Sequence, residues 1–206
     1  MTEIYEALKG FTDIPLAILS LIFGIILVKK RRTGWGILFL TVAVAAVMGT
    51  VAHAVAIPTV ALNLLWTVLY VFLYEAIRRF GCLTVALITG ESRPEPRVIF
   101  CAEGILYILT LLWMWLGWPL NDILVLVVFM VMIFVRVTVC IVRTRHVPRS
   151  LCLLMGILLI PILLQMFESV IPYAVVAEHT LLALSLCVAF AIALHTPQKT
   201  EIIQAR

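Results

Sequence analysis

Long runs of apolar residues, separated by short polar segments, are the main pattern of this chain. Each run is about 20 residues long, the length that an α-helix needs to cross about 30 Å of hydrocarbon. The runs predict seven helices, at residues 11–28, 35–55, 58–77, 98–117, 120–142, 150–170 and 173–194. We therefore predict an all-α, polytopic membrane protein: a single bundle of seven transmembrane helices over residues 1–198, followed by a short cytoplasmic tail at 199–206.

Positive charge is distributed unevenly among the segments between these helices. Nearly all of the 15 Lys and Arg residues follow helices 1, 3, 5 or 7, whereas the loops after helices 2, 4 and 6 contain none. Because Lys and Arg in short loops stay on the cytoplasmic side, the pattern predicts an outer N-terminus and a cytoplasmic C-terminus. The longest cytoplasmic connection, 78–97, is predicted to begin with a short interfacial stretch, "CLTVALI", and to continue as a turn-rich linker.

The composition agrees with an integral membrane protein and narrows the range of partners. Hydrophobic residues make up 64% of the chain and charged residues 13%, and the mean hydropathy is +1.18. These values exclude an ordinary soluble domain. The net charge of +4 is a topology signal, because no basic patch with interleaved aromatic residues predicts nucleic-acid binding. We expect membrane lipids as partners, no nucleic acid, and a multi-pass location in the cell membrane, which is the inner membrane in a bacterium.

Three ionisable residues are predicted to lie in hydrocarbon near the cytoplasmic side: Glu75, Glu103 and Arg136. A charge at such a depth costs about 2.5 to 3.5 kcal/mol on insertion scales, so it usually pairs or carries function. Glu103 and Arg136 lie at matching depths in helices 4 and 5, which predicts an ion pair between them. A gating or proton-transfer role is the alternative to a purely structural pair.

A second polar group is predicted within about two to three turns of the outer surface. It comes from five helices and consists of Asp13, His53, Asn63, Glu168, Glu178 and His179. Convergence of carboxylates and imidazoles from separate helices is what a metal site in a bundle requires. The same set also suits a proton relay, because His titrates near neutral pH and burial can tune a carboxylate.

Each of these residues also has a local structural interpretation. Asp13 can cap helix 1, because a carboxylate is favoured at the positive helix terminus. His53 can bond to a carbonyl of the loop before Pro58, and Asn63 can form a hydrogen bond between helices. The carboxylates of Glu168 and Glu178 can simply lie among the outer headgroups.

The order of polar residues resembles that of the CREST superfamily, which includes alkaline ceramidases and the adiponectin and progestin receptors. The resemblance rests on seven spans, His53 late in helix 2, Asn63 early in helix 3 and His179 in helix 7. Members of that superfamily are intramembrane zinc hydrolases, and the outer N-terminus matches the ceramidase branch. The resemblance therefore implies a zinc site in which His53 and His179 are ligands.

This chain departs from the superfamily pattern at three positions. The pattern has a serine four residues before the helix-2 histidine, where this chain has Gly49, with Thr50 adjacent. It has an aspartate where Asn63 stands, and a second helix-7 histidine where this chain has Ala183 or Val175. The segments "FTDIPLAI", "GWGILFL", "GTVAH" and "LLW" are closer to an uncharacterised group of small bacterial seven-span proteins, which implies a fold and no chemistry.

The first hypothesis is a zinc-dependent hydrolase that cleaves a lipid amide or ester from the outer leaflet. His53 and His179 would hold the zinc, and Glu168 or Asp13 would complete its coordination. Zinc lowers the pKa of its bound water to about 7, which supplies hydroxide without a strong side-chain base. Asp13 or Glu168 could instead act as general base, and Thr50 or Asn63 would orient the attacked carbonyl, so Asp13, Thr50 and Asn63 are the predicted catalytic residues.

The second hypothesis is a non-catalytic membrane protein: a sensor, a transporter or an assembly partner. In that protein the outer polar group is an outward-facing binding site for a proton or a solute. The presence or absence of bound metal separates the two hypotheses.

Overall fold

The protein is all-helical in a computed structural model, which describes residues 2–54, 58–90, 97–116, 122–145, 149–166 and 174–195. The helices are α1 (Thr2–Lys29), α2 (Thr33–Ala54), α3 (Thr59–Thr89), α4 (Arg97–Trp115), α5 (Asp122–Thr144), α6 (Arg149–Met166) and α7 (Ala174–His195). No strand occurs within these ranges. The predicted all-α class is confirmed.

Four of the helices in the described ranges are long and apolar enough to cross a membrane. They are the segment Gly10–Lys29 of α1, and α2, α3 and α7 in full. This finding agrees with a membrane protein. Seven spans and the direction of the termini stay predictions.

The third helix is longer than the sequence pattern predicts. It continues to Thr89, through the stretch that we expected to lie apart at the interface, and it buries Leu83, Ala86 and Ile88. It ends at Gly90, which adopts a left-handed φ of 70° and donates its N–H to the Ala86 carbonyl. Continuation buries apolar side chains that a separate interfacial stretch would leave in contact with headgroups.

The first two helices form a tight hairpin. A Cβ added to Gly36 would lie 2.5 Å from a methyl carbon of Val28, and one added to Gly24 would lie 2.8 Å from Leu40. Small residues allow helix backbones to approach closely in this way. The turn between the helices includes Arg31 at a φ of 58°.

The buried core lies near the end of the bundle that contains this turn, which we call the turn end. Phe23, Phe39 and Phe190 join α1, α2 and α7 there, with the Phe23 and Phe190 rings stacked at 4.2 Å. Trp35 from α2 and Leu151 from α6 are almost completely buried in the same core. Among the described segments, α1 packs on α2 and α7, α3 packs on α2, α4 and α5, and α6 packs mainly on α7. The opposite end, where α1 carries Asp13, is called the polar end.

Candidate functional site

A buried pair joins α1 to α7 at the polar end. The imidazole Nε2 of His179 lies 2.9 Å from Oδ1 of Asp13, and the two side chains are only 15% and 14% exposed. The other ring nitrogen of His179, Nδ1, lies 2.8 Å from the carbonyl oxygen of Val175 in its own helix. Both ring nitrogens of His179 are therefore engaged.

The two partners of His179 determine where its protons are. A carbonyl oxygen can only accept a hydrogen bond, so Nδ1 carries a proton and donates it to Val175. The bond between Nε2 and Asp13 then needs one more proton, held by either the ring or the carboxyl group. With one proton shared between His179 and Asp13, the pair is neutral overall in both forms.

Gly49 of α2 makes room for the Asp13 carboxylate. A Cβ at this position would lie 2.5 Å from Oδ2 of Asp13, well inside contact distance. Any side chain at residue 49 would therefore push Asp13 away. Gly49 stands where the superfamily pattern has a serine. Because it has no side chain, it leaves the space in which the Asp13 carboxylate reaches His179.

The pair lines one end of a cavity of about 350 Å³. His53 and Glu178 line the same end, and Leu38, Phe80 and Leu154 line the opposite end. The rest of the wall is apolar except for Ser185 and comes from α1, α2, α3, α6 and α7, at Leu16, Phe39, Val42, Ala45, Ala46, Gly49, Leu69, Leu73, Ala76, Ile77, Leu158, Leu182, Ser185, Leu186 and Ala189. The arrangement is a polar head region followed by an apolar chamber, as in many small-molecule sites.

His53 lines the cavity from α2, one helical turn after Gly49. Its ring meets Trp66 of α3 edge to face, with centroids 5.2 Å apart. The loop that we expected to supply its carbonyl partner includes residues 55–57, which lie outside the described residues. His53 is therefore a cavity residue packed on an aromatic ring.

The remaining predicted site residues have other positions. Thr50 donates its hydroxyl to the Ala46 carbonyl one turn earlier and is not among the cavity-lining residues. Asn63 also lies outside the cavity lining, and its backbone carbonyl accepts a bond from Thr67. Glu168 lies outside the described residues. Of the predicted group, the structure gathers Asp13, His53, Glu178 and His179 around one cavity.

The described side chains around the cavity do not by themselves form a zinc site. Among the described residues, no three His, Cys, Asp or Glu side chains form a group that could hold a metal. Coordination through Nε2 of His179 would require Asp13 to leave that nitrogen. The predicted third ligand, Glu168, belongs to the part of the chain that is not described, so the zinc site stays a prediction.

A second buried pair lies elsewhere in the bundle and confirms the predicted ion pair. Arg136 of α5 donates through Nη1 to Oε1 of Glu103 in α4 at 3.2 Å, and its Nη2 lies 3.9 Å from Sγ of Cys82. Glu103 is 5% exposed. This pair is not part of the cavity lining.

Sequence reasoning identified Asp13 and His179 separately but missed their pairing. The available signal was depth, because Asp13 lies near the start of the apolar segment Gly10–Lys29 of α1 and His179 lies near the start of α7. The sequence does not show which helices pack together, because the first and last helices of a bundle need not touch. The structure places α1 against α7.

Taken together, these features define a helical protein with helices of membrane-spanning length and a proton-sharing pair at the head of an apolar cavity. The chain belongs to a family of unknown function, DUF6962, whose model matches residues 8–176. Asp13, Gly49 and His53 fall within the matched region, and His179 follows it. No curated protein and no solved structure matches the chain. The family description names no activity, so the resemblance to zinc hydrolases stays a prediction.

Proposed function

We propose that this protein is a non-catalytic, seven-span protein of the cell membrane that binds a solute in its cavity with linkage to one proton. The polar end faces outwards and the turn end faces the cytoplasm, in agreement with the distribution of Lys and Arg. The four membrane-length helices and the mean hydropathy of +1.18 support the membrane location.

The single observation that carries the proposal is the 2.9 Å contact between Nε2 of His179 and Oδ1 of Asp13 at the head of the cavity, which needs a proton between the two atoms. Loss of this proton leaves a carboxylate facing the lone pair of Nε2, which removes the hydrogen bond that joins α1 to α7. Gain of a second proton neutralises the carboxyl group, whose oxygen still accepts from Nε2, so the contact loses its charge–charge attraction and is weakened. A solute that alters the proton count at this place therefore alters a contact between helices, which is the coupling that a proton-linked sensor or transporter needs.

The hydrogen bonds of the site support binding more than catalysis. Neither ring nitrogen of His179 is turned towards the apolar chamber as a base, because one faces Asp13 and the other faces Val175. The hydroxyl groups of Thr50 and Ser185 are donated to carbonyls of their own helices, at Ala46 and Leu182. Neither hydroxyl is activated by an adjacent base, as a nucleophile would be.

A zinc-dependent lipid hydrolase is the second candidate, and one observation favours it. His53 and His179, the two predicted imidazole ligands, line the same end of one cavity. Zinc content of the purified protein, with His53→Ala and His179→Ala beside it, tests this candidate. About one zinc per chain, lost in both variants, would support the hydrolase. If the zinc content is the same in both variants as in the wild type, His53 and His179 are not zinc ligands.

The proposed proton site is tested without any ligand. Nuclear magnetic resonance of the histidine rings, recorded across pH on detergent-purified protein, follows His179, whose signal is the one lost in His179→Gln. We expect the titration of His179 to change in Asp13→Asn and to stay unchanged in Glu75→Gln. Glu75 is the matched control, because its carboxylate pairs with Arg78 and Arg79 away from the cavity lining. If the titration of His179 is unchanged in Asp13→Asn, the proposal is wrong.

A further inference from the structure

We propose that the solute is a single-chain amphiphile with a cationic ammonium head, which enters the cavity in exchange for the proton between Asp13 and His179. This inference rests on the proposed proton site and adds the chemical class of the ligand. It follows from the shape of the chamber, the charges at its head and the proton count of the pair.

The chamber is elongated along the helices. On α2 its lining extends from His53 to Leu38, which corresponds to about 22 Å at 1.5 Å per residue. Its volume of about 350 Å³ exceeds the roughly 150 Å³ of a cavity that takes up benzene. An apolar space of this length and volume suits one extended hydrocarbon chain.

The head of the chamber is rich in acidic groups. The charged or titratable residues that face it are Asp13 from α1, His53 from α2, and Glu178 and His179 from α7, whereas the lining residues from α3 and α6 are all apolar. No Lys or Arg belongs to the described lining. An anionic head would therefore meet two carboxyl groups without a fixed cation, whereas a cationic head meets a complementary field.

The exchange balances in protons and in charge. Before binding, the pair carries one proton between Nε2 and Oδ1 and is neutral. When an ammonium group donates to the Asp13 carboxylate, that proton leaves to the water at the polar end. His179 then stays neutral, with Nδ1 still donating to Val175. The site holds one positive charge next to Asp13 throughout, first as a proton and then as an ammonium.

Titration calorimetry of the full-length protein in nonionic detergent tests the inference with dodecylammonium, dodecanol and dodecanoate. A primary amine of this kind is fully protonated near neutral pH, as lysine is, so it contributes no proton change of its own. Measurement in two buffers of different ionisation enthalpy gives the number of protons released. For the wild-type protein and Glu75→Gln we expect saturable binding of dodecylammonium with release of about one proton per ligand.

Two variants test separately how the protein binds the cationic head and the hydrocarbon chain of the ligand. Asp13→Asn removes the carboxylate, and Val42→Phe fills the apolar wall about three helical turns from His53. We expect each to weaken dodecylammonium binding by about tenfold or more, which is about 1.4 kcal/mol. Glu178→Gln serves as a second head variant if Asp13→Asn does not fold, and it should weaken the cation while leaving dodecanol unaffected.

The other outcomes overturn the inference in distinct ways. Dodecanol or dodecanoate binding as tightly as dodecylammonium would show that the head does not select a cation. Cation binding that survives both Asp13→Asn and Val42→Phe would come from the micelle or another surface. In each case the ligand-free titration of His179 still decides the proposed function, so failure of the ligand class and failure of the proton site are told apart.

Discussion

Among the described residues, two largely buried acid–base pairs join different helices, and their surroundings differ. Glu103 and Arg136 join α4 to α5 outside the cavity lining, and the guanidinium of Arg136 cannot lose its charge. Asp13 and His179 join α1 to α7 at the head of a cavity, and the imidazole can change its charge near neutral pH. The same kind of contact is thus permanent in one place and exchangeable in the other. The choice of base and the adjacent space distinguish a structural pair from a functional one.

The largest expected effect comes from breaking the permanent pair. Glu103→Ala leaves the Arg136 guanidinium buried without its carboxylate, which costs about 3 to 5 kcal/mol of stability. Replacing both residues with leucine should recover most of this loss, because no buried charge is left. Unfolding in detergent with increasing dodecyl sulfate measures both variants. A single variant no less stable than the double variant would contradict the structural role.

The second-largest expected effect comes from Gly49, the neighbour of the Asp13–His179 pair. In Gly49→Ala the new methyl group overlaps Oδ2 of Asp13, so the carboxylate must move away from His179. Such overpacking costs about 1 to 3 kcal/mol. Gly104→Ala in α4 is the matched control, because a Cβ there meets nothing within 4 Å and alanine favours the helix by about 1 kcal/mol.

The same unfolding assay and the ring signal of His179 follow both glycine variants. Gly49→Ala should destabilise the protein and alter the His179 signal, and Gly104→Ala should do neither. Equal behaviour of the two variants would mean that Asp13 does not depend on the space above Gly49.

The smallest effect is the cost of breaking the exchangeable pair itself. Asp13→Asn should cost only about 1 to 2 kcal/mol, less than Glu103→Ala, because His179 can give up its charge and Arg136 cannot. A double-mutant cycle of Asp13→Asn and His179→Gln measures the interaction energy. We expect this energy to fall at both ends of the pH range, where the pair holds no proton or two.

The pair of Glu103 and Arg136 is the reference for that cycle. Its own interaction energy should stay constant between about pH 5 and pH 8, because neither charge is expected to change there. An Asp13–His179 energy that is equally constant would count against an exchangeable proton.

Hydrophobicity and depth were sufficient to predict part of this structure. The all-α class follows from the apolar runs, and the contact of Glu103 with Arg136 agrees with their matching depths in two helices that are consecutive along the chain. The end of α3 was missed because Arg78 and Arg79 suggest the end of a span. Glu75 pairs with both from within the same helix and offsets part of their charge, and α3 continues.

The exchangeable pair could not be predicted in the same way. Asp13 and His179 are 166 positions apart, so their contact depends on the packing of α1 against α7. Gly49 looked like a missing serine, because a sequence pattern describes the side chain at a position and not the space left free above it. The cavity likewise depends on the shape of several helices at once.

The glycine contacts between α1 and α2 have a mechanical consequence. They occur at Gly10, Gly24, Gly36 and Gly49, and so engage the two helices along nearly their whole shared length. Sliding one helix past the other would drive side chains into backbone, so the hairpin behaves as a single stiff body. When the proton leaves and the pair opens, the displacement must be taken up by α7 relative to that body. We therefore expect spin-label distances between α2 and α7 to change with the proton, while those between α1 and α2 stay fixed.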